Sequence, residues 1–366
     1  MPSPIAVAVI ELNYGGHYAF YVRKLIDGLP PSTQATLYGS TGLVNSAALG
    51  VETDGVKEKM HIVDLGGTIK IQSRRLLDVV RSDTFSGNAF VVVPSADRVL
   101  PHLLAMALAA RRNKLPPLRF ILMRTTKSVG LREQCTRIAK LLLIKALTAY
   151  WPDCKAYFLT DGVGYVKSRE GYRALMPIAD PAYDLRPPTR SDARKQLSLR
   201  EDVPIVAMVG ALNHRKRPDL LVSALSLMPG IEMLAAGSCS DESLGLALSR
   251  WPEVASRTLC LNYYLSDVEL LAAAAAADVV IISQDTDAPS GTLLLAILAG
   301  TPIVAMASPW VCSVVEDLGI GLVAHSTEDA LRTAIAAVLS RGPDFSDALA
   351  AARAQLDPQS LNTLLE

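Results

Sequence analysis

The sequence predicts a two-domain α/β protein, built from parallel sheets with helices packed on them. Its 366 residues exceed the usual size of one hydrophobic core, and half of them are apolar. From residue 203 onward, short β-branched runs alternate with amphipathic stretches, a pattern typical of βαβ units around a buried parallel sheet. Four prolines lie between Met176 and Asp192, where neither a helix interior nor an inner strand would tolerate them. We therefore predict an interdomain linker there.

The predicted domains are 1–178, 179–344 and a C-terminal helix at 345–366. That last helix either packs back on the first domain or ends the chain as a free amphipathic segment. In the second domain, Ser266 and Glu269 form a capping-box pattern that predicts a helix start. Strands are predicted at 204–210, 232–237, 278–283, 302–306 and 321–324 there, and at 5–12, 35–39, 61–64, 90–94 and 119–124 in the first domain.

Composition excludes several classes of protein. The 36 basic and 36 acidic residues cancel, so the chain as a whole is not steered towards nucleic acid. Five scattered cysteines without a C-x-x-C pair indicate a reducing compartment and predict no metal site. The first ten residues lack the basic start of a signal peptide, and the longest apolar run, Leu270 to Ile282, is too short for a membrane span. We expect a cytoplasmic protein.

The clearest local motif is Ser290-Gly291-Thr292, which follows a strand and opens a helix. Backbone N–H groups and the positive end of the dipole make a helix start a binding site for phosphate, and Gly291 permits close approach. The hydroxyls of Ser290 and Thr292 add donors. The alternative is that Ser290 serves only as a helix cap.

Several runs stand in an order that resembles the donor domain of the retaining GT-B glycosyltransferases of family 4 and their relatives. They are VGALNHRKRPDLLVSAL, EMLAAGS, NYYLSDVELLAAAAAADVVIIS and DTDAPSGTLLLAILAGTPIVA, within about residues 180–340. The resemblance implies the GT-B fold, in which two doubly wound Rossmann-like domains face a cleft. Ligands of such sheets bind outside the carboxyl ends of the strands.

The resemblance places Lys216 at the family's diphosphate-binding lysine and Gly237 at the glycine after the next strand. The family's companion arginine is replaced by Ala211, so Arg215 or Arg217 would have to substitute for it. Without the resemblance, the run from Arg215 to Arg217 would be read as a solvated basic turn.

The family's donor helix carries two glutamates, one near the sugar hydroxyls and one on the ribose. Counting back from Gly300 places them at Asp287 and Leu295. Asp287 retains a carboxylate that accepts hydrogen bonds from a hydroxyl, whereas Leu295 loses the ribose contact.

In the first domain, Gly15 and Gly16 allow a tight turn after the first strand, and the loop resembles the glycine-rich loop of the same family. His17 is either a ligand-facing group or a surface residue at a helix start. The family's later histidine is not evident, since Arg124 and Thr125 follow the corresponding strand. No general base is assigned.

Residues 111–145 carry ten basic side chains against the single acid Glu133. Their helical part is also amphipathic, so it could rest on an anionic membrane surface or meet a lipid-phosphate-linked acceptor. The alternative is a core helix with a solvated basic face. Nucleic acid is not expected, because aromatic residues are not interleaved.

The resemblance implies transfer of a sugar from a nucleotide-diphosphate donor to an acceptor hydroxyl, with retention, and without metal or cofactor. The acceptor would be a carbohydrate, a lipid-linked or a small molecule, and the protein would be cytoplasmic or peripheral at the inner face of the membrane. Lys216, Ser290, Gly291 and Thr292 would hold the diphosphate. Two alternatives remain: a non-catalytic binding or scaffold protein that has lost the donor chemistry, and a nucleotide-sugar epimerase.

Overall fold

The structure is a computed structural model that describes residues 6–13, 17–44, 60–81, 89–109, 115–123, 131–151, 153–160, 175–284 and 290–365. The chain divides into two compact units. The first comprises the described residues up to 160 together with 175–181 and 357–365, and the second comprises residues 182–356.

A seven-stranded parallel sheet forms the first unit, in the order β3-β2-β1-β4-β5-β6-β7. The strands are β1 Ala6–Glu11, β2 Gln34–Gly39, β3 Met60–Asp64, β4 Phe90–Val93, β5 Leu118–Leu122, β6 Cys154–Thr160 and β7 Met176–Ala179. The described helices are α1 His17–Asp27, α2 Thr41–Val44, α3 Ile69–Arg81, α4 Leu100–Ala109 and α5 Leu131–Tyr150.

Successive residues of β1 serve opposite faces of this sheet, as the pleat requires. Val7 and Val9 join one hydrophobic cluster, and Ala8 and Ile10 join the other. Because both faces are covered, the strand reads as an apolar run rather than an alternating one.

The prediction that Pro177 lies in a linker is wrong. Pro177 is part of β7, which pairs in register with β6. β7 ends the strand order, and an edge strand tolerates a residue that lacks an N–H on its open side.

The end of the chain belongs to the first unit. Leu361 and Leu364, in a 3₁₀ helix at Ser360–Leu365, are buried in its core, and the Ser360 hydroxyl donates to the carbonyl of Ala179 over 2.9 Å. The contacts divide the chain at 181 and 356, and the predicted boundaries at 178 and 344 stay predictions.

The second unit has a six-stranded parallel sheet in the order β10-β9-β8-β11-β12-β13. Its strands are β8 Ile205–Val209, β9 Glu232–Ala236, β10 Thr258–Leu261, β11 Val279–Ile282, β12 Ile303–Ala305 and β13 Gly321–Val323. Its helices are α6 Arg190–Gln196, α7 Pro218–Ser226, α8 Ser243–Arg250, α9 Pro252–Ala255, α10 Asp267–Ala276, α11 Gly291–Ala299, α12 Pro309–Leu318, α13 Glu328–Arg341 and α14 Ser346–Ala354.

Local signals set several of these boundaries. The capping box predicted at Ser266 is confirmed, since its hydroxyl accepts from the Glu269 N–H and the Glu269 carboxylate accepts from the Ser266 N–H. Gly300 ends α11 in the left-handed conformation that glycine adopts without strain. Among the described residues, no helix is both long and apolar enough to cross a bilayer.

Candidate functional site

The second sheet reverses its order at β8. This strand pairs with β9 on one side and with β11 on the other, and the connections that follow β8 and β11 lead towards opposite edges of the sheet. A crevice opens at such a reversal, and ligands of doubly wound sheets bind there. The segment that carries Lys216 follows β8, and helix α11 is the next described helix after β11 in the chain.

The segment after β8 folds into a short 3₁₀ helix, His214–Lys216. Asn213 caps it, since its side-chain oxygen accepts the Arg215 N–H over 3.1 Å. Arg217 then adopts a left-handed conformation with φ of 49°, and Pro218 begins α7 at once. This tight turn of the backbone keeps Lys216 beside the carboxyl end of β8.

Lys216 and Thr292 meet at one carbonyl oxygen. The Lys216 ammonium donates to the carbonyl of Val209 over 2.5 Å, and the Thr292 hydroxyl donates to the same oxygen over 3.2 Å. The hydroxyl of Ser283, just after β11, donates to the carbonyl of Lys216. The structure therefore joins two residues that stand 76 positions apart in the sequence and that were both predicted to hold a diphosphate.

Two glycines leave room for this arrangement. Gly210 has φ of 91°, and a Cβ there would lie 3.2 Å from the Lys216 Nζ and 3.5 Å from the Thr292 Oγ1. Gly237 has φ of 139°, and a Cβ there would overlap the carbonyl oxygen of Gly210. Both positions require glycine, because L-residues rarely adopt these angles and the space is already taken.

Burial lowers the pKa of Lys216 to about 8, and the nearby positive charge of Arg215 contributes to the lowering. The side chain is still largely protonated at pH 7 and has three N–H donors, of which Val209 uses one. An anion placed beside it would be stabilised by an ammonium that is already partly removed from water.

Helix α11 begins at Gly291 with its first backbone N–H groups at the same edge of the sheet. Ser290 is buried, yet within the described part of the chain its hydroxyl makes no capping hydrogen bond to the first turn. Ser290 thus occupies the N-cap position of α11 without a side-chain capping hydrogen bond, and its assignment to the diphosphate site stays a prediction. Leu295, in the same helix, is only 2% exposed and packs in the core.

Four predicted site residues have no described side chain. Gly15, Gly16 and Asp287 lie outside the described residues, and His17 is described only as the first residue of α1. Their assignments stay predictions. Arg215 is exposed next to Lys216, and Ala211 is exposed at the position of the family's arginine.

Among the described residues of the basic segment 111–145, some basic side chains are buried or paired and others are exposed. The guanidinium of Arg119 is buried and bonds to the Asp153 carbonyl over 2.8 Å and to its carboxylate over 3.1 Å. Lys140 forms an ion pair with Asp97 over 2.6 Å. Arg119 is therefore removed from the predicted strip, whereas Ile138, Leu142 and Lys145 of α5 are exposed. Contact with a membrane stays a prediction.

Residues 239–243, which follow β9, hold the segment that carries Lys216 in place, and the sequence analysis did not identify them. Leu212 pairs with Cys239, and the Asp241 carboxylate accepts from the backbone N–H of His214 over 2.9 Å and contacts its ring over 2.8 Å. The hydrogen bond from the Ser243 hydroxyl, together with those from His214 and from the Ser243 N–H, holds the pKa of Asp241 far below its ordinary value. In the sequence, the only indication of this role was that Asp241 stands a few residues after a predicted strand.

The chain is similar to proteins of known type. Residues 189–355 match the family Glycosyl transferases group 1. A D-inositol 3-phosphate glycosyltransferase from Mycobacteroides abscessus is 31% identical over 185 residues, which are 48% of this chain and 42% of that protein. The chain thus matches less than half the length of this curated relative.

Solved structures resemble the chain over nearly its whole length. The Anabaena protein HepE, solved with UDP and glucose, has a TM-score of 0.72 at 14% identity, and the match covers 99% of this chain and 98% of HepE. A sucrose-phosphate synthase from Thermosynechococcus elongatus has a TM-score of 0.70 at 17% identity, covering 99% and 97%. At such identities the likeness concerns the fold alone.

The two parallel sheets and their neighbours define the GT-B fold that the sequence predicted. Within the second unit, which carries the Lys216 site, residues 189–355 are similar to the glycosyl transferases group 1 family, and the chain has the GT-B fold.

Proposed function

We propose that this protein is a glycosyltransferase that transfers a sugar from a nucleoside-diphosphate donor to an acceptor hydroxyl, with retention at the sugar carbon. The observation that carries the proposal is the convergence of Lys216, Thr292 and the start of α11 at the switch point of the second sheet. An ammonium, a hydroxyl and free backbone N–H groups in one crevice suit a diphosphate.

In this proposal, the site acts on the leaving group. Charge develops on the diphosphate as the bond to the sugar breaks, and a preformed cationic site stabilises that charge. Lys216 supplies the ammonium, Thr292 a hydroxyl, and Gly291 a backbone approach without a side chain in the way. Because these groups already provide positive potential, we propose that no metal ion is required.

Retention is proposed from the resemblance to the family 4 glycosyltransferases, and the donor is proposed by analogy with similar proteins. HepE was solved in complex with UDP and glucose, and a curated relative is named for D-inositol 3-phosphate. We propose a uridine-diphosphate sugar as the donor. The acceptor would be a carbohydrate, a lipid-linked or a small molecule, with Asp287 orienting the donor sugar and Gly15, Gly16 and His17 on the acceptor side.

A second candidate function is a binding or scaffold protein, and the burial of Leu295 favours it. A leucine that is 2% exposed has no polar group for a ribose, and Ala211 supplies no charge to a phosphate. An epimerase is the third candidate. It would change the sugar of a donor without an acceptor, which product analysis detects.

The test is UDP-glucose hydrolysis and transfer by the wild type, by Lys216→Ala and by Lys195→Ala. Lys195 lies in α6 of the same unit and is exposed, so it controls for the loss of one lysine charge. Loss of turnover and of UDP affinity in Lys216→Ala alone would support the proposal. Unchanged activity in that variant would refute the site, and no binding of UDP at millimolar concentration to the wild type would favour the scaffold.

A further inference from the structure

The first unit buries an acidic side chain at the carboxyl end of β1. Glu11 is the last residue of this strand and is only 1% exposed. Val7 and Val9 lie on the same face of β1 and belong to one of the two hydrophobic clusters of the unit. The alternation of the strand therefore directs the Glu11 carboxyl towards the core, where an ionised group is unfavourable.

The hydrogen bonds of Glu11 use only one of its two carboxyl oxygens. Oε1 accepts from the backbone N–H of Asn13 over 2.9 Å and from Asn13 Nδ2 over 2.7 Å. Oε2 is buried and has no hydrogen-bond partner among the described residues. Asn13 Oδ1 is also buried, and it too lacks a partner within that part of the chain.

One proton would satisfy both of these oxygen atoms. Both are acceptors, and they belong to two side chains that are already hydrogen-bonded to each other. Buried acceptors without a donor are rare in proteins, because each loses its hydrogen bonds to water on folding. A carboxyl group in its protonated form has one O–H, which supplies the missing donor.

The surroundings of Glu11 favour this neutral form. Burial raises the pKa of its carboxyl to about 8, and the two hydrogen bonds from Asn13 lower it only in part. At pH 7 the larger fraction of Glu11 therefore carries a proton.

The elements packed against β1 bring no described basic group to this carboxyl. Strand β4 and helix α2 contain no titratable side chain. Helix α1 brings Tyr18 and Tyr21 to the same cluster, and the Tyr21 hydroxyl donates to Asp180 over 2.6 Å. Tyr38 of β2 belongs to the cluster on the opposite face. The side chain of His17 lies outside the described residues.

We propose that Glu11 and Asn13 form a buried proton-binding site, in which Glu11 Oε2 carries a proton and donates it in a hydrogen bond to Asn13 Oδ1. The acid and the amide are then joined by two side-chain hydrogen bonds, which hold the carboxyl end of β1. The proton is taken up from water and returned to it, so no further reactant is needed. Neither residue belongs to the proposed donor site, and the proton site is independent of the proposed function.

Proton binding at Glu11 makes the stability of β1 depend on pH. In the unfolded chain the carboxyl loses its proton near pH 4.5, whereas in the folded chain it keeps the proton up to about pH 8. Between these values the folded state binds one proton more than the unfolded state. Each pH unit in this window therefore favours the opening of β1 about tenfold, and the effect stops growing above pH 8.

Glu11→Gln is the test variant, because its amide places an N–H where the acid has its O–H and does not titrate. Hydrogen exchange of the full chain is measured by mass spectrometry from pH 5 to 9, and the two proteins are compared at each pH so that the intrinsic exchange rate cancels. From pH 5 to 8, protection of residues 7–11 in the variant relative to the wild type should rise by about tenfold per pH unit, and then stay constant. Peptides of β8, in the second unit, should not differ.

Glu253→Gln is the matched control, since Glu253 is exposed on α9 of the second unit, and it should follow the wild type at every pH. A relative protection of residues 7–11 that is the same at pH 5 and pH 8 would overturn the proton site.

Infrared spectroscopy of the wild type tests the same site even if Glu11→Gln does not fold. The carbonyl band of a protonated carboxylic acid should be present at pH 7 and disappear as pH rises through 8. Absence of this band at pH 7 would show that Glu11 is ionised and would refute the proton site.

Discussion

The pH dependence of UDP binding tests the role of Lys216 most directly. The pKa of about 8 places the change of charge of this lysine within an accessible range, because an unperturbed lysine has a value near 10.4. If only the ammonium form binds the diphosphate, affinity should be constant at low pH and fall as pH rises through 8.

The magnitude follows from the fraction of lysine that is protonated in the free protein. With a pKa of about 8, that fraction is about 0.91 at pH 7 and about 0.09 at pH 9, so affinity should fall roughly tenfold between them. A terminal phosphate, with a second pKa of about 6, is already ionised over this range and does not contribute. A bound anion raises the pKa of the lysine, so binding at pH 8 should take up about half a proton.

The assay is titration calorimetry with UDP at pH 7, 8 and 9, in buffers of different ionisation enthalpy to count protons. Lys216→Arg is the control, since a guanidinium stays charged throughout and should bind UDP without a step near pH 8. Lys216→Met should bind about tenfold or more weakly and also without the step. A wild type whose affinity is flat from pH 7 to 9, with no proton uptake, would refute the assignment of Lys216 as the diphosphate cation.

Two further predictions concern the stability of the second unit. Gly237→Ala should lower the free energy of unfolding by at least about 2 kcal/mol, because φ is 139° and the new methyl overlaps the Gly210 carbonyl. Gly245→Ala, in helix α8 with open space around it, should instead stabilise by roughly 0.5–1 kcal/mol, and equal urea midpoints for the two variants would contradict this reasoning. Leu295→Ala should cost about 2–5 kcal/mol as a cavity in the core, whereas exposed Leu246→Ala should stay within about 0.5 kcal/mol. A near-neutral Leu295→Ala in thermal unfolding would show that this leucine faces an open pocket.

Sequence reasoning recovered most of the second unit. The strand at 205–209, the helix that follows Pro218 and the capping box at Ser266 depend on residues a few positions apart, and the structure has all three. The first unit was predicted less completely. β6 and α3 were missed, and Pro177 was misassigned because the edge position of β7 is a property of the whole sheet.

The candidate site was likewise predictable from the sequence only in part. The helix start at Ser290-Gly291-Thr292, which we predict to bind an anion, could be recognised from a strand, a turn and a helix in succession. The convergence of Lys216 and Thr292 on Val209 was not, because strand β11 must first be inserted beside β8.

The sequence by itself determined the alternation of strands and helices, their caps and the residues suited to bind phosphate, because these depend on hydrophobic period and local backbone chemistry. Only the tertiary structure decided that Gly237 must be glycine to fit against Gly210 and that the Lys216 ammonium meets the Thr292 hydroxyl at Val209. Each of these depends on strands that lie side by side in the sheet but far apart in the chain, and the order of strands in the sheet is set by packing of the whole unit.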